Sequence, residues 1–409
     1  MSTSHHIAPA AGGKLPVKWH VLIGGFFGYM FDAMDILLLA VSMPVIITDL
    51  GITRAEGGLL ATATMVGVGL SSLVVGWFAD NYGRRKTLIV SLTLFGLLTA
   101  AIAFTSTWAE ILVLRFLAGF GLGGVWSLIV SYITETWPQR QRGKAAAFVL
   151  SAFPAGAGVA SFLAYLVIPA YGWRALFLCG GVAVFAALYF WRFVPESQVW
   201  KEARGARTDP KDKVRIGEVF APALLRSTLL STLVATCGMI GYWGCSTWLP
   251  LFLTQDRGLS QETMSLYFVM LNVGMFVGYN AFGIIADKIG RKKALLLSFL
   301  GTALMLPIYV MMTDPTALFI MGPVYAFFTC FVGPMGSYLP EIFPTRVRAM
   351  GAGFCFNVGR GLSAFAPFAM GFIGQSYGLT TGIIICAGFY MIAGFIMTAL
   401  PDIDKKPAA

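Results

Sequence analysis

The sequence predicts an all-α membrane protein built from two related six-helix halves, and three observations lead to this fold class. Hydrophobic residues make up 57% of the 409-residue chain and charged residues 12%, whereas an ordinary soluble domain is about a quarter charged. Apolar stretches long enough to cross a bilayer, which takes about 20 helical residues, occur at twelve places. A pattern of glycine, aspartate and basic residues also occurs twice at a constant offset. Most of the chain therefore lies in lipid as a duplicated helical bundle.

The apolar stretches predict the twelve transmembrane helices in order. They run over 19–48, 57–79, 87–106, 109–134, 143–168, 174–193, 227–254, 263–286, 294–312, 316–340, 348–375 and 379–400. The one long polar interval, 195–225, separates the sixth stretch from the seventh and predicts a cytoplasmic linker. We expect a disordered cytoplasmic tail at 1–18, a six-helix bundle at 19–194, this linker, a second bundle at 226–401 and a cytoplasmic tail at 402–409.

Two pairs of motifs mark the duplication. Gly76-x-x-x-Asp80-x-x-Gly83-Arg84-Arg85-Lys86 returns 207 residues later as Gly283-x-x-x-Asp287-x-x-Gly290-Arg291-Lys292-Lys293. Glu135-x-x-Pro138-x-x-x-Arg142 returns 206 residues later as Glu341-x-x-Pro344-x-x-x-Arg348. Because both pairs stand in the same relation to their flanking apolar runs, the two bundles are expected to be pseudo-symmetric.

The distribution of charge predicts the orientation in the membrane. Short loops rich in Lys and Arg stay on the cytoplasmic side. With both termini placed there, all but five of the 29 Lys and Arg residues face the cytoplasm. The net charge of +10 then follows from contact with anionic lipid headgroups, so we expect a lipid bilayer and no nucleic acid as partner.

The polar residues do not form the patterns that enzymes or metalloproteins need. The sequence shows no Ser/His/Asp set, no phosphate-binding loop and no metal-ligand spacing, and its six cysteines lie inside predicted helices. We therefore expect no enzymatic activity, no metal and no cofactor. Any work that the protein performs must then be driven by an ion gradient.

The motifs resemble those of the major facilitator superfamily of transporters over nearly the whole chain. The loop motif of that family is matched by Gly76, Asp80, Gly83, Arg84 and Arg85, and its fourth-helix motif by Arg115-x-x-x-Gly119-x-Gly121-x-Gly123-Gly124. In the first helix, Asp32-Ala33-Met34-Asp35 is similar to the Asp-x-x-Asp signature of proton-coupled organic-acid symporters, including the aromatic-acid and the sialate or lactate families. The resemblance implies two six-helix bundles, a central substrate site, and rocking between inward-open and outward-open states.

Asp32 and Asp35 are acidic residues inside the first predicted helix. Because they are three residues apart, they share one helix face. A charged aspartate at the bilayer centre costs about 2.5–3.5 kcal/mol, so such residues face a cavity, find a cation or take up a proton. We expect at least one of them to bind a symported proton. The alternative is a permanent ion pair with Arg115, which the resemblance places beside the first helix.

Arg360 is a second cation predicted inside the membrane, and its half has no acidic residue within the predicted helices. Its planar guanidinium can bind a carboxylate with two parallel hydrogen bonds, so we expect it to bind the substrate. The alternative is a packing arginine satisfied by backbone carbonyls. Asn357 lies one turn earlier and is expected to assist. The other residues predicted to contact substrate are Tyr29, Trp126, Tyr242 and Asn272.

The repeated motifs also predict a gate at the cytoplasmic ends of the helices. The gate residues are Asp80, Arg84, Glu135 and Arg142 in the first half and Asp287, Arg291, Glu341 and Arg348 in the second. The arginine after each loop glycine is expected to bind the glutamate of the second motif in its own half, which would lock the outward-open state. The alternative is that these charges only anchor the topology.

The sequence thus predicts a secondary active transporter that takes up a small organic anion together with protons by alternating access. A monocarboxylate, such as a lactate-like, aromatic or sugar acid, is the expected substrate. The alternative is an uncoupled organic-anion facilitator or exchanger, which would show no proton uptake. We expect a monomer in the plasma (inner) membrane of a bacterium, driven by the proton gradient.

Overall fold

The computed structural model describes residues 15–138, 141–205, 216–344 and 347–403. This part of the chain is helical and contains no strand. The predicted tails fall mostly outside the described residues, and so do positions 206–215 of the predicted linker.

Seventeen α-helices occur in the described ranges, and we number them in chain order. The first half consists of α1 (Val17–Leu50), α2 (Arg54–Tyr82), α3 (Arg84–Ala101), α4 (Trp108–Leu122), α5 (Val125–Thr136), α6 (Arg142–Leu150), α7 (Ala152–Leu178) and α8 (Ala183–Phe193). The helix α9 (Gln198–Gly205) follows. The second half consists of α10 (Pro222–Leu251), α11 (Gln261–Ile289), α12 (Arg291–Met311), α13 (Pro315–Phe328), α14 (Val332–Ile342), α15 (Arg348–Leu362), α16 (Ala366–Tyr377) and α17 (Leu379–Thr398).

Several predicted transmembrane helices are broken into two consecutive helices. The fourth consists of α4 and α5, the tenth of α13 and α14, and the eleventh of α15 and α16. The fifth and sixth are joined within Phe148–Phe193, an apolar stretch of 46 residues, at Gly172. There the backbone leaves the helix with φ 75°, a conformation that glycine adopts without a steric penalty. The twelve crossings and the all-α fold class are confirmed, while the predicted orientation stays a prediction.

The two halves share one packing pattern. In the first half α1 packs on α7, α2 on α4 and α3 on α8. The corresponding contacts in the second half are those of α10 with α15, α11 with α13 and α12 with α17. The halves meet along α2 with α16 and α7 with α11, which are equivalent contacts when the halves are exchanged. This pattern is a two-fold pseudo-symmetry about an axis between the halves.

Gly119 shows why the repeated helices can approach so closely. A β-carbon at this position of α4 would lie 2.2 Å from the carbonyl oxygen of Thr64 in α2, which is well inside van der Waals contact. Small residues of this kind allow helix backbones to touch in membranes. The glycine-rich fourth-helix motif therefore fixes the distance between α2 and α4.

The bundle has two faces that differ in how the halves meet. We call the face with Arg84 and Arg85, where α2 ends and α3 begins, the basic face, and the other the opposite face. On the opposite face Arg54 at the start of α2 donates hydrogen bonds to the Gly374 carbonyl (2.6 Å) and to Gln255 Oε1 (2.7 Å) in the other half. Gln261 Nε2 donates to the Val41 carbonyl at 2.9 Å. These bonds between the halves close the opposite face.

Candidate functional site

A central chamber lies between the two halves. Its lining consists of Tyr29, Asp32, Trp126 and Phe153 from the first half and Met239, Tyr242, Trp243, Tyr279, Thr329, Val332, Phe356 and Arg360 from the second. Its volume is about 40 Å³. Such a volume suits a few water molecules and falls far below the size of an ordinary ligand pocket. In this conformation the chamber is therefore too narrow for an ordinary ligand.

Asp32 and Arg360 bring opposite charges to this chamber from different halves. Asp32 lies on α1 with 2% of its surface exposed, and its Oδ1 has no hydrogen-bond partner among the described residues. Arg360 lies near the end of α15, partly buried, and its charge acts on the Asp32 carboxylate. The described part of the chain offers the Arg360 guanidinium no hydrogen bond or ion pair. Both groups are thus available to a bound molecule.

Asp35 has a different environment, although it lies one turn from Asp32. Its Oδ2 accepts a hydrogen bond from Arg115 Nη1 at 3.2 Å, and both side chains are fully buried. Thr99 also donates to Asp35, while Arg115 Nε donates to Thr64 Oγ1 at 3.0 Å. Neither residue lines the central chamber. The contact is the ion pair that the sequence offered as the alternative role for these residues.

Aromatic rings make up most of the chamber wall. Trp126 of α5 stacks on Phe356 of α15, with ring centroids 5.4 Å apart and planes 23° apart, so this stack joins the two halves. Phe153 lies between the Tyr29 and Tyr242 rings at centroid distances of 5.9 and 6.2 Å. The predicted contact residues Tyr29, Trp126 and Tyr242 all line the chamber. The wall presents flat apolar surfaces with a few hydroxyl and indole groups at their edges.

Sequence reasoning missed Phe153, Tyr279 and Phe356 as chamber residues. For Phe356 a signal was present, because it lies four residues before Arg360 and shares its helix face. The prediction favoured Asn357 instead, which is three residues before Arg360. Asn357 is exposed and does not line the chamber. The structure thus places a ring, and not an amide, beside the arginine.

Asn272 is the other predicted contact residue that lies away from the chamber lining. It is 5% exposed, and its Nδ2 donates a 2.7 Å hydrogen bond to the Phe268 carbonyl one turn earlier in α11. Its β-carbon faces Gly158 of α7. The amide is therefore satisfied by its own helix, at a contact between the halves.

The predicted gate residues form separate ion pairs within each half. Arg84 Nε lies 3.3 Å from Glu135 Oε1, and Arg291 Nη1 lies 2.5 Å from Glu341 Oε2. Ser197 also donates a hydrogen bond to Glu135. Asp287 and Arg348 are exposed at the ends of their helices, and the side chains of Asp80 and Arg142 lie outside the described part of the structure. The role of these residues as a gate stays a prediction.

The comparisons with known proteins agree with this architecture. The sequence profile of the Major Facilitator Superfamily matches residues 25–365 and 255–409. The chain is 29% identical over 376 residues to a cis,cis-muconate transport protein of Acinetobacter baylyi, covering 91% of each chain. It is 27% identical over 373 residues to a sialic acid transporter of Escherichia coli, covering 90% of this chain and 91% of that one.

A solved structure shows the same fold. The crystal structure of a D-xylose-proton symporter superposes with a TM-score of 0.78 at 18% identity, covering 95% of this chain and 99% of that chain. At this identity the likeness shows the fold alone. The chain belongs to the major facilitator superfamily, and it is a multi-pass transporter of the bacterial inner membrane, not an enzyme.

Proposed function

We propose that this transporter takes up a small organic monocarboxylate together with a proton. The observation that carries the proposal is the pair of opposite charges on the two walls of one chamber, the buried Asp32 and the partly buried Arg360. An arginine without a hydrogen-bond partner can bind a carboxylate bidentately. A buried carboxylate beside it can be neutralised by a proton.

The substrate and Asp32 compete for the same cation. In the unloaded protein the Arg360 charge offsets that of Asp32, which lowers the cost of an ionised carboxylate in the membrane. A substrate carboxylate bound to Arg360 removes this compensation, so Asp32 then favours its protonated form. Anion and proton are therefore loaded together.

The aromatic wall favours a substrate with a flat, apolar body. Rings such as Trp126, Phe153 and Phe356 surround the space next to Arg360, and aromatic faces gain most from planar partners. An aromatic or unsaturated acid fits this surface better than a sugar acid, which needs several hydrogen-bonding groups. The muconate transport protein among the relatives supports an unsaturated acid by its name, although muconate carries two carboxylates. The sialic acid transporter supports the wider class of organic acids.

The decisive experiment is transport by purified protein in proteoliposomes. Uptake of radiolabelled benzoate, nicotinate, lactate and N-acetylneuraminate is measured with an inward proton gradient and after its collapse, while a dye records internal pH. We expect accumulation above equilibrium and internal acidification, with benzoate or nicotinate transported fastest. Asp32→Asn should abolish both while substrate exchange persists.

The matched control is Asp314→Asn. Asp314 caps α13 by accepting a hydrogen bond from Ala317 N, and asparagine caps helices equally well. This variant should transport like the wild type. Uptake that only equilibrates, with no change of internal pH, would refute symport and leave the uncoupled facilitator or exchanger.

A further inference from the structure

A second, smaller cavity lies between the halves on the opposite-face side of the central chamber. Its lining includes Thr64 and Arg115 from the first half and Trp243, Ser246 and Pro367 from the second. Trp243 also lines the central chamber, so the two spaces share this residue. We call this space the opposite-face cavity. Its volume is about 10 Å³, which is close to the minimum for one water molecule.

Three buried donors at this cavity have no hydrogen-bond partner among the described residues. They are Arg115 Nη2, Ser246 Oγ and Trp243 Nε1. The other guanidinium nitrogens of Arg115 already bind Asp35 and Thr64, so Nη2 is the one left for the cavity. A buried donor without an acceptor is unfavourable, and these three belong to side chains that line one space, which favours an acceptor there.

The charge at the cavity specifies which acceptor is favoured. Arg115 pairs with Asp35 through Nη1, and its second terminal nitrogen, Nη2, has no acceptor among the described residues. A hydroxyl and an indole N–H beside a guanidinium form a cluster of donors that matches the oxygens of a carboxylate. No acidic side chain belongs to the lining of this cavity, although the Asp35 carboxylate bound to Arg115 Nη1 offsets part of the attraction that the guanidinium exerts on an anion.

We infer that the opposite-face cavity is a carboxylate-binding subsite on the path from the opposite face to the central chamber. The inference rests on the proposed function in taking the transported molecule to be a carboxylate. In the closed conformation the space suits one water molecule. It widens when α2 separates from α16, because Thr64 lies on the first of these helices and Pro367 on the second. The carboxylate then contacts Arg115 and Ser246 before it passes Trp243.

The test uses thiol labelling, which does not depend on the identity of the substrate. Ser246→Cys is prepared in the full chain, reconstituted in lipid nanodiscs, and treated with the anionic 2-sulfonatoethyl or the cationic 2-trimethylammonioethyl methanethiosulfonate. Intact-mass spectrometry gives the labelling rate for each reagent. The ratio of the anionic to the cationic rate does not depend on the intrinsic reactivity of the thiol, because both reagents react with the same cysteine. The unsubstituted chain, with its six native cysteines, gives the background.

The matched control is Thr381→Cys, an exposed position in the first turn of α17 on the same face. We expect the anion-to-cation rate ratio at position 246 to exceed that at position 381 by about tenfold, because a guanidinium at contact distance favours the anion. Sodium acetate should slow the anionic reagent at position 246 more than sodium chloride does at equal ionic strength.

Three results would overturn the subsite. They are equal ratios at the two positions, equal slowing by acetate and chloride, or labelling at position 381 with none at position 246. The proposed function is tested separately by uptake and internal pH. A transporter that accumulates benzoate but shows no anion preference at position 246 would therefore refute the subsite alone.

Discussion

The first half buries Asp32, Asp35 and Arg115 inside the membrane, whereas Arg360 is the charged residue that the second half brings to the same depth. Yet the helices of the two halves pack in the same pairs. The duplicated scaffold therefore fixes the positions of the helices without fixing their chemistry. One half supplies a buried ion pair and an acid that lines the chamber, and the other supplies a cation that lines the same chamber.

The largest expected effect comes from breaking the ion pair of the first half. Arg115→Leu leaves the carboxylate of Asp35 buried without its cation, which costs about 3–5 kcal/mol of folding free energy. Thermal unfolding in detergent measures the loss. The combined variant Arg115→Met with Asp35→Leu should recover most of the stability, since it removes both charges.

Arg360→Leu is the corresponding change in the second half. Arg360 is only partly buried and lies within ion-pair distance of no acidic side chain among the described residues, although its charge does act on Asp32. We therefore expect its effect on unfolding to be smaller than that of Arg115→Leu. Equal destabilisation by the two changes would contradict the difference between an arginine held in a buried ion pair and one that lines the chamber.

The next effect concerns how Arg360 binds. Arg360→Lys keeps the charge but loses the planar pair of donors, and the loss of a charge-assisted hydrogen bond costs about 1.5–3 kcal/mol, or roughly tenfold to 100-fold in affinity. Benzoate affinity by isothermal titration calorimetry checks this value. An unchanged benzoate affinity in a folded variant would contradict bidentate binding, because the single charge of lysine would then bind the carboxylate equally well.

A smaller effect separates two neighbours on α15. Phe356→Ala removes the ring that stacks on Trp126, a contact worth about 0.5–1.5 kcal/mol, so the KM for uptake should rise roughly two- to tenfold. Asn357→Ala serves as the control, because Asn357 is exposed and lies away from the chamber. A larger rise in KM for Asn357→Ala than for Phe356→Ala would support the sequence-based prediction that the Asn357 amide contacts the substrate.

The smallest effect compares the two gate pairs. Arg84 and Glu135 are 18% and 14% exposed, whereas Arg291 and Glu341 are 30% and 42% exposed. Exposed pairs contribute about 0–1 kcal/mol and are weakened by salt. Arg84→Gln should therefore change the transport rate more than Arg291→Gln, measured at low and high ionic strength. A larger effect of Arg291→Gln would show that exposure does not rank the two pairs.

The sequence was sufficient for the fold because hydropathy and the repeat act over long segments. The twelve helices need only an apolar length, and the 207-residue offset relates the halves without any knowledge of contacts. Asp32 and Arg360 could be found for a similar reason, since a charge in an apolar helix is conspicuous. These residues meet at one chamber in the structure.

The rest of the site depended on information that one sequence does not carry. Asn357 and Phe356 differ by a single position, and which of them faces the chamber depends on the rotation of α15 about its axis. Asn272 satisfies its amide within its own helix, which composition does not reveal. Aromatic residues make up 14% of the chain, so Phe153 and Tyr279 could not be told from the many rings that face lipid or other helices.

The chamber charges and the buried ion pair also have an electrical consequence. Asp32, Asp35, Arg115 and Arg360 carry two negative and two positive charges when all are ionised. Their movement across the membrane would transfer no net charge, and neither would a monoanion accompanied by one proton. Moving one elementary charge across a membrane potential of 100 mV changes the free energy by about 2.3 kcal/mol. In this cycle no net charge crosses the membrane, so the potential makes no contribution. Uptake should then follow the pH difference and be indifferent to voltage.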